Sequence, residues 1–186
     1  MDKLDGTLDS YLETNELRDD ELASIAFQII ITLIVYGRAF DLTHNDLHTN
    51  NVMYCETDKK HIQYRLNGQY YKVPTFGKIY KIIDFGRSIY RFDKHIMISG
   101  SYAASGDAAG LFNIDSSYSD NAPPRLPNKS FDLCRLGCSL FEFIETGTLD
   151  PPAPNDNSAR ALMLRWCLND QGKNMLYKRN GQERYP

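Results

Sequence analysis

The strongest constraint on how this chain folds is the apolar run between Asp20 and Phe40. Leu22, Ile25, Ile29, Leu33 and Tyr36 recur there at three- and four-residue steps, and Ala26, Ile30, Ile31 and Ile34 widen the stripe. That period gives one helix a broad apolar face, and a face so broad must be covered by the rest of the chain. The spacing predicts a buried helix, capped at its start by Asp19 or Asp20 and loosening at Gly37. The greasiest part, Ile25 to Tyr36, is interrupted by Gln28 and Thr32 and is shorter than the roughly 20 residues of a bilayer span, so no membrane partner is expected. A length of 186 residues accommodates one such core.

Around this helix the sequence sets short strands and loops. The polar stretch from Asp41 to Asn51 reads as loop and Val52 to Cys55 as a short strand. Ile62 to Leu66 and Gln69 to Val73 flank Asn67-Gly68, the strongest short-range signal for a hairpin, and Pro74 and Gly77 close it. Lys78 to Ile83 forms another strand that runs straight into Asp84-Phe85-Gly86, which sets a carboxylate at a strand end. Ser99 to Pro127 is rich in Ser, Gly, Ala, Asn, Asp and Pro, shows no period, and reads as a long loop. A helical stripe returns at Phe131, Leu133, Leu136, Leu140, Phe143 and Ile144 and ends at Thr146-Gly147. Asp150 to Pro154 is a stiff connector to a last helix at about Ser158 to Leu168. The expected fold class is α+β, mainly helical with short β-hairpins.

Charge and cysteine usage narrow the function classes. Lys and Arg number 21 against 24 Asp and Glu, for a net charge of −3, and no basic run is long enough to neutralise a nucleic-acid backbone. No nucleic-acid partner is expected. Cys55, Cys134, Cys138 and Cys167 follow no paired secreted spacing, and Met1 to Asp5 carries no apolar signal core, which fits an intracellular, cytoplasmic setting. Cys134 and Cys138, four apart on one helix face, read as small apolar groups rather than ligands, and Leu162, Met163 and Trp166 read as core.

The segment His44-Asn45-Asp46-Leu47-His48-Thr49-Asn50-Asn51 places an Asp and an Asn five positions apart on the loop after the buried helix. With Asp84 this makes two carboxylates and one amide able to converge at strand ends, a set suited to Mg²⁺ between phosphate oxygens. Phosphoryl transfer is the natural chemistry of such a set. The plain reading of the same residues is polar loop capping. A transition-metal hydrolase built on His44, Asp46 and His48 would lack the further His partners it needs.

These motifs resemble the protein-kinase superfamily. His44-Asn45-Asp46 with Asn51 is similar to the H-R-D-x-x-x-x-N catalytic loop, and Asp84-Phe85-Gly86 is an intact D-F-G. Asp132-Leu133-Cys134-Arg135-Leu136-Gly137 resembles the D-x-W-S-x-G opening of the large buried helix of the kinase C-terminal lobe, and Leu4 to Leu12 resembles the stretch after the hinge. The resemblance implies that Asp46 accepts or orients the proton of an attacking hydroxyl. It implies that Asn51 and Asp84 hold the Mg²⁺ ions bridging the phosphates of ATP. Gly86 would allow a sharp turn after Asp84, Phe85 would pack against a neighbouring lobe, and Asp132 would hold the catalytic loop through backbone N–H groups. His44 would support that loop without touching substrate.

Several positions depart from the family pattern. Asn45 replaces the Arg that receives an activation-loop phosphate, so loop residues such as Ser99, Ser101, Tyr102 and Ser105 read as loop-solvating rather than as phosphorylation sites. His48 stands where protein kinases carry a Lys near the transferred phosphate; similar H-x-D-L-H loops occur in haspin-like kinases and in phosphotransferases related to aminoglycoside and choline kinases. Ala122-Pro123-Pro124 stands where A-P-E is expected. The extra hairpin at about 56–77 and the activation-segment-like loop at about 87–127 together resemble kinase-like proteins of large DNA viruses, which would make the compartment that of a host cell.

The expectation is therefore a kinase-like C-terminal lobe over residues 1–186, truncated at both ends, with the N-terminal lobe absent and a complementing lobe as one partner. Its parent would be a Ser/Thr protein kinase using ATP and Mg²⁺ on a protein substrate, with catalytic residues Asp46, His48, Asn51 and Asp84. The chain alone would have weak or no activity. The alternatives are a small-molecule phosphotransferase and a non-catalytic kinase-like interaction module. An apolar patch around Leu47, Val52, Ile83 and Phe85 is expected where the small lobe would sit, and Tyr64, Tyr70 and Tyr71 on the hairpin would serve as a docking surface or simply pair across the strands.

Overall fold

A computed structural model describes residues 3–109, 129–144, 153–178 and 180–182. Two short elements that the sequence reading passed over come first, strand β1 (Gly6–Thr7) and helix α1 (Leu8–Thr14). The Thr7 hydroxyl accepts the Ser10 amide at 3.1 Å and so starts α1. Helix α2 (Asp19–Phe40) is the predicted helix, with Leu22, Ile25, Ala26 and Ile29 buried. It runs longer than the expected apolar stretch and is long and apolar enough to cross a membrane by length and composition. Here that apolar face forms the centre of the core.

Both ends of α2 differ from expectation. Arg18 takes the N-cap position, and its N–H donates to the Glu21 carboxylate at 3.2 Å. Asp19 is drawn elsewhere: its carboxylate accepts the amides of Ala159 and Arg160, each at 3.1 Å. Gly37 stays inside the helix, and the left-handed closing residue is Asp41, with φ 49°. Aspartate tolerates that region because its short polar side chain suits local hydrogen bonding.

Strands β2 (Val52–Glu56), β3 (His61–Leu66), β4 (Gln69–Pro74) and β5 (Lys78–Ile82) follow. β1, β2 and β5 form one antiparallel sheet in that order, with β2 and β5 in register from Val52 opposite Ile82 to Glu56 opposite Lys78. β3 and β4 make the predicted hairpin as a separate pair, and both turn residues, Asn67 and Gly68, have positive φ as a type I′ turn demands. Tyr64 lies opposite Tyr71, and both rings rest on Phe27 of α2 at 5.7 and 5.3 Å between centroids. Tyr70 points to solvent beneath the Arg65 guanidinium.

The outer edge of β5 faces α2, where Gln28 takes the place of another strand. Its Oε1 accepts the Tyr80 N–H at 3.0 Å, and its Nε2 donates to the Ser24 hydroxyl at 3.3 Å and reaches the Lys78 carbonyl at 3.5 Å. Buried backbone groups must be paired, and a primary amide offers the same donor and acceptor as a peptide.

The expected activation-segment-like loop at about 87–127 begins with regular structure, and residues 99–109 after it are loop as expected. Strands β6 (Ile89–Phe92) and β7 (His95–Ile98) form a second hairpin, turned by Asp93 and Lys94 in left-handed conformations. A 3-10 turn at Gly100–Tyr102 follows. The remaining loop positions, with Ala122-Pro123-Pro124, Thr146-Gly147 and Asp150 to Pro152, lie outside the described residues.

Helix α3 (Ser130–Ile144) restores the stripe, and α4 (Ala159–Trp166), capped by the Ser158 hydroxyl on the Ala161 amide, closes over it. Gly137 lets them meet: a Cβ there would lie 2.9 Å from Trp166 Cβ. Leu8, α2, Val52, Ile82, Leu136, Leu140 and Met163 share one core. Trp166 packs against it, while Leu162 is exposed, contrary to expectation. The predicted apolar patch is also corrected: Leu47 and Val52 are fully buried beneath α2 and β5, and of the patch only Phe85 is substantially exposed, at 39%.

Candidate active site

The loop from Thr43 to Asn51 is suspended between three elements. At one end Thr43 and Ile89 exchange backbone hydrogen bonds, at 2.9 and 3.0 Å. At the centre, buried Asp132 of α3 accepts the His44 amide at 2.8 Å on one oxygen and the Asn45 amide at 2.8 Å on the other. Burial pushes the Asp132 carboxyl up from its usual range, and the two amide donors pull the other way. Asn45 has φ 66°, which asparagine adopts more readily than most residues. At the far end a 3-10 turn at Thr49–Asn51 leads into β2.

His44 joins this loop to the strand carrying Asp84. Its Nε2 lies 2.8 Å from the Ile83 carbonyl, and its Nδ1 lies 3.3 Å from the Asp46 amide. One nitrogen must donate and the other accept, so the neutral ring protonated at Nε2 fits both contacts. The Ile83 N–H donates to the Asn51 carbonyl at 3.0 Å, extending the β2–β5 ladder by one step. Asp84, the next residue, has φ 57° and accepts the Gly86 amide at 3.2 Å. The sharp turn is taken by Asp84 itself, in the left-handed region, and Gly86 has no positive φ. Gly86 serves by having no side chain: a Cβ there would lie 3.1 Å from Asp84 Oδ1. Phe85 packs within the same body, against Tyr36 at 5.5 Å and His44 at 5.2 Å.

Asn51 is buried and oriented by its own amide. Its Nδ2 donates to the Asp46 carbonyl at 2.9 Å and lies 3.1 Å from His48 Nε2. A carbonyl can only accept, so this end of the amide is the NH₂ and Oδ1 is left for another partner. Burial lowers the His48 imidazole below its ordinary value, which keeps Nε2 a free acceptor for Asn51. A magnesium ion takes hard oxygen ligands, and the Asn51 amide oxygen with the second oxygen of Asp84 fits that donor set. Among the described residues no three His, Cys, Asp or Glu side chains cluster as a metal site.

Asp46 carries an ion pair that sequence reasoning missed: Arg87 Nη1 lies 3.2 Å from its Oδ1. The only signal was a lone Arg one position after the D-F-G, with its other partner, Asp107, far along the chain. Tyr102, expected to solvate a loop, is buried, donates to the Arg87 carbonyl at 2.8 Å, and has its phenol pushed up to about 12 by burial. A cavity of about 430 Å³ opens beside His48, lined by Asp9, Glu13, Asn50, Arg135, Ser139 and Glu142 among others.

No protein-family model matches the chain. A segment of 91 residues, 45% of the chain, is 37% identical to a probable serine/threonine-protein kinase of Dictyostelium discoideum. A segment of 62 residues, 33% of the chain, is 39% identical to the serine/threonine-protein kinase haspin of Mus musculus, and the same holds for haspin of Bos taurus. The matched segment spans 8% of the length of each of these relatives. Over a third to just under half of its length, then, the chain is kinase-like, similar to serine/threonine-protein kinases.

Proposed function

We propose that this chain forms a kinase-like C-terminal lobe and carries the base and magnesium side of a site for phosphoryl transfer from ATP to a hydroxyl acceptor. The observation that carries this reading is the backbone coupling of two strand ends. Ile83 bonds to both His44 and Asn51, which ties the loop carrying Asp46 and Asn51 to the residue before Asp84. Asp46 would orient the attacking hydroxyl and take its proton, while Asn51 and Asp84 would hold Mg²⁺. The ion, when bound, supplies positive charge against the phosphate oxygens. The chain's own groups do the rest: Asp132 fixes the loop, His44 fixes the distance between loop and strand, and neutral His48 keeps Asn51 turned.

The partial relatives, named serine/threonine-protein kinases, favour a Ser or Thr hydroxyl of a protein as acceptor over a metabolite. The cavity beside His48 offers room for acceptor residues flanking that hydroxyl. A glycine-rich, lysine-bearing unit from a complementing lobe would cover the nucleotide and raise turnover. Calorimetric titration with Mg-ATP tests the reading, with Asp84→Ala as control, followed by transfer of labelled phosphate to a protein mixture. Magnesium-dependent binding that the substitution abolishes supports it. Binding unchanged by Asp84→Ala, or label found only on small metabolites, argues against it.

A further inference from the structure

The residue after the Asp84 turn holds a charge that the reading above does not use. Arg87 Nη1 lies 3.2 Å from Asp46 Oδ1, and its Nη2 donates to Asp107 Oδ2 at 2.8 Å. Its carbonyl accepts Asn45 Nδ2 at 3.0 Å and the Tyr102 hydroxyl at 2.8 Å. One residue therefore touches the catalytic loop with both side chain and main chain, and touches the 99–109 segment in the same two ways.

The segment is shaped to bring Asp107 there. The Ser101 hydroxyl donates to the Gly86 carbonyl at 2.9 Å, and the Ala108 amide donates to the Ser101 carbonyl at 2.9 Å. Gly106 passes so close that a Cβ would lie 2.1 Å from the Ser101 carbonyl oxygen. Tyr102 and Ala108 are buried in a small cluster with Ile89. A guanidinium is a planar fork whose donors can serve two carboxylates at once, which a lysine ammonium on its flexible stem does poorly. Arg87 engages one oxygen of Asp46 and leaves the other without a partner among the described residues.

We propose that Arg87 is a positioning residue: it fixes the Asp46 carboxylate and is itself held by Asp107, so a carboxylate encoded in the sequence docks the 99–109 segment onto the loop that carries Asp46. The word positioning rests on the phosphoryl-transfer reading, whereas the Asp46–Arg87–Asp107 bridge does not. The bridge needs no added phosphate, because Asp107 supplies the negative charge.

NMR on the ¹⁵N-labelled chain tests the bridge through the Arg87 guanidinium resonances and the exchange of the Tyr102 and Ala108 amides. Partly exposed ion pairs are weak, so Asp107→Asn should speed exchange at those two amides by about two- to fivefold, and Asp107→Glu should restore most of the protection. Arg87→Lys should behave as Arg87→Gln at the Asp107 end. Asp46→Asn should shift the guanidinium resonances while sparing the two amides, because Asp107 still holds the fork. In Mg-ATP phosphate transfer, Asp107→Asn should lower kcat with little change in KM for ATP, with rescue by Asp107→Glu. Unchanged resonances and exchange in Asp107→Asn would overturn the bridge, and faster transfer in Arg87→Gln would overturn positioning in favour of obstruction. Mg-ATP binding that Asp84→Ala leaves unchanged would sink the phosphoryl-transfer reading, and positioning with it, while the resonances still decide whether the bridge exists.

Discussion

Replacing Gln28 measures how much the sheet depends on a single side-chain amide. Gln28 is 1% exposed, and it satisfies the Tyr80 N–H on the outer edge of β5 at 3.0 Å. Gln28→Met keeps an unbranched side chain of similar length, so the cavity is small, but the Tyr80 N–H loses its acceptor. An orphaned buried amide costs about 1–3 kcal/mol, and better burial of the thioether offsets part of it. The expected net loss is about 1–2 kcal/mol. Gln28→Ala adds a cavity to the same orphan and should cost about 3–4 kcal/mol. Urea unfolding followed by circular dichroism reads both. With a slope of about 2 kcal/mol per molar, the midpoints should fall by about 0.5–1 M and 1.5–2 M. Exchange of the Tyr80 amide should accelerate in both variants beyond the change in global stability. A Gln28→Met protein as stable as wild type, with Tyr80 exchange unaltered, would refute the claim that the amide stands in for a strand.

Three further outcomes follow from the packing and the site. Gly106→Ala forces a Cβ into the Ser101 carbonyl, so the 99–109 turn must open; proteolysis within the segment should speed up by about tenfold or more while the urea midpoint changes little. Gly137→Ala pushes α3 off Trp166 and the Met163 carbonyl and should cost about 1–3 kcal/mol in urea unfolding. The lowered value of His48 gives a pH dependence of definite sign. Its contribution to stability is complete above the unfolded imidazole value of about 6.5 and is lost as pH falls through the lower folded value. Protonation would also set a donor against Asn51 Nδ2. Unfolding midpoints should therefore fall as pH drops below about 6.5, and His48→Gln should flatten that part of the profile.

Periodic and local features were legible in the sequence; features made by distant partners were not. The stripe from Leu22 to Tyr36 announces α2, and Asn67-Gly68 announces its hairpin, because each signal is complete within a few residues. The link between Asp84 and the Asp46 loop was readable only through motif order, since nothing local shows that Ile83 bonds to both His44 and Asn51. Asp19 looked like a cap for α2 but caps α4, a choice made by tertiary packing. The β6–β7 hairpin was hidden because Asp93-Lys94 fills both left-handed turn positions without the usual Asn or Gly. Arg87 gave no sign of its two carboxylates, which lie far from it in sequence.

The hairpin β3–β4 grows from a stem already closed beneath it. The Thr57 N–H donates to the Gly77 carbonyl at 2.9 Å, directly beyond the Glu56–Lys78 pair, so the chain leaves the sheet and re-enters it at neighbouring points. An insertion with coincident ends adds little loop-closure entropy and leaves the β2–β5 register untouched. Its contacts run sideways to α2, through Phe27 and through the Ser24 hydroxyl on the Pro74 carbonyl, whereas Asn51 and Asp84 lie at the opposite end of the ladder. The hairpin is in this sense a graft: a change in its length or outer face would leave the strand ends that carry Asn51 and Asp84 in place.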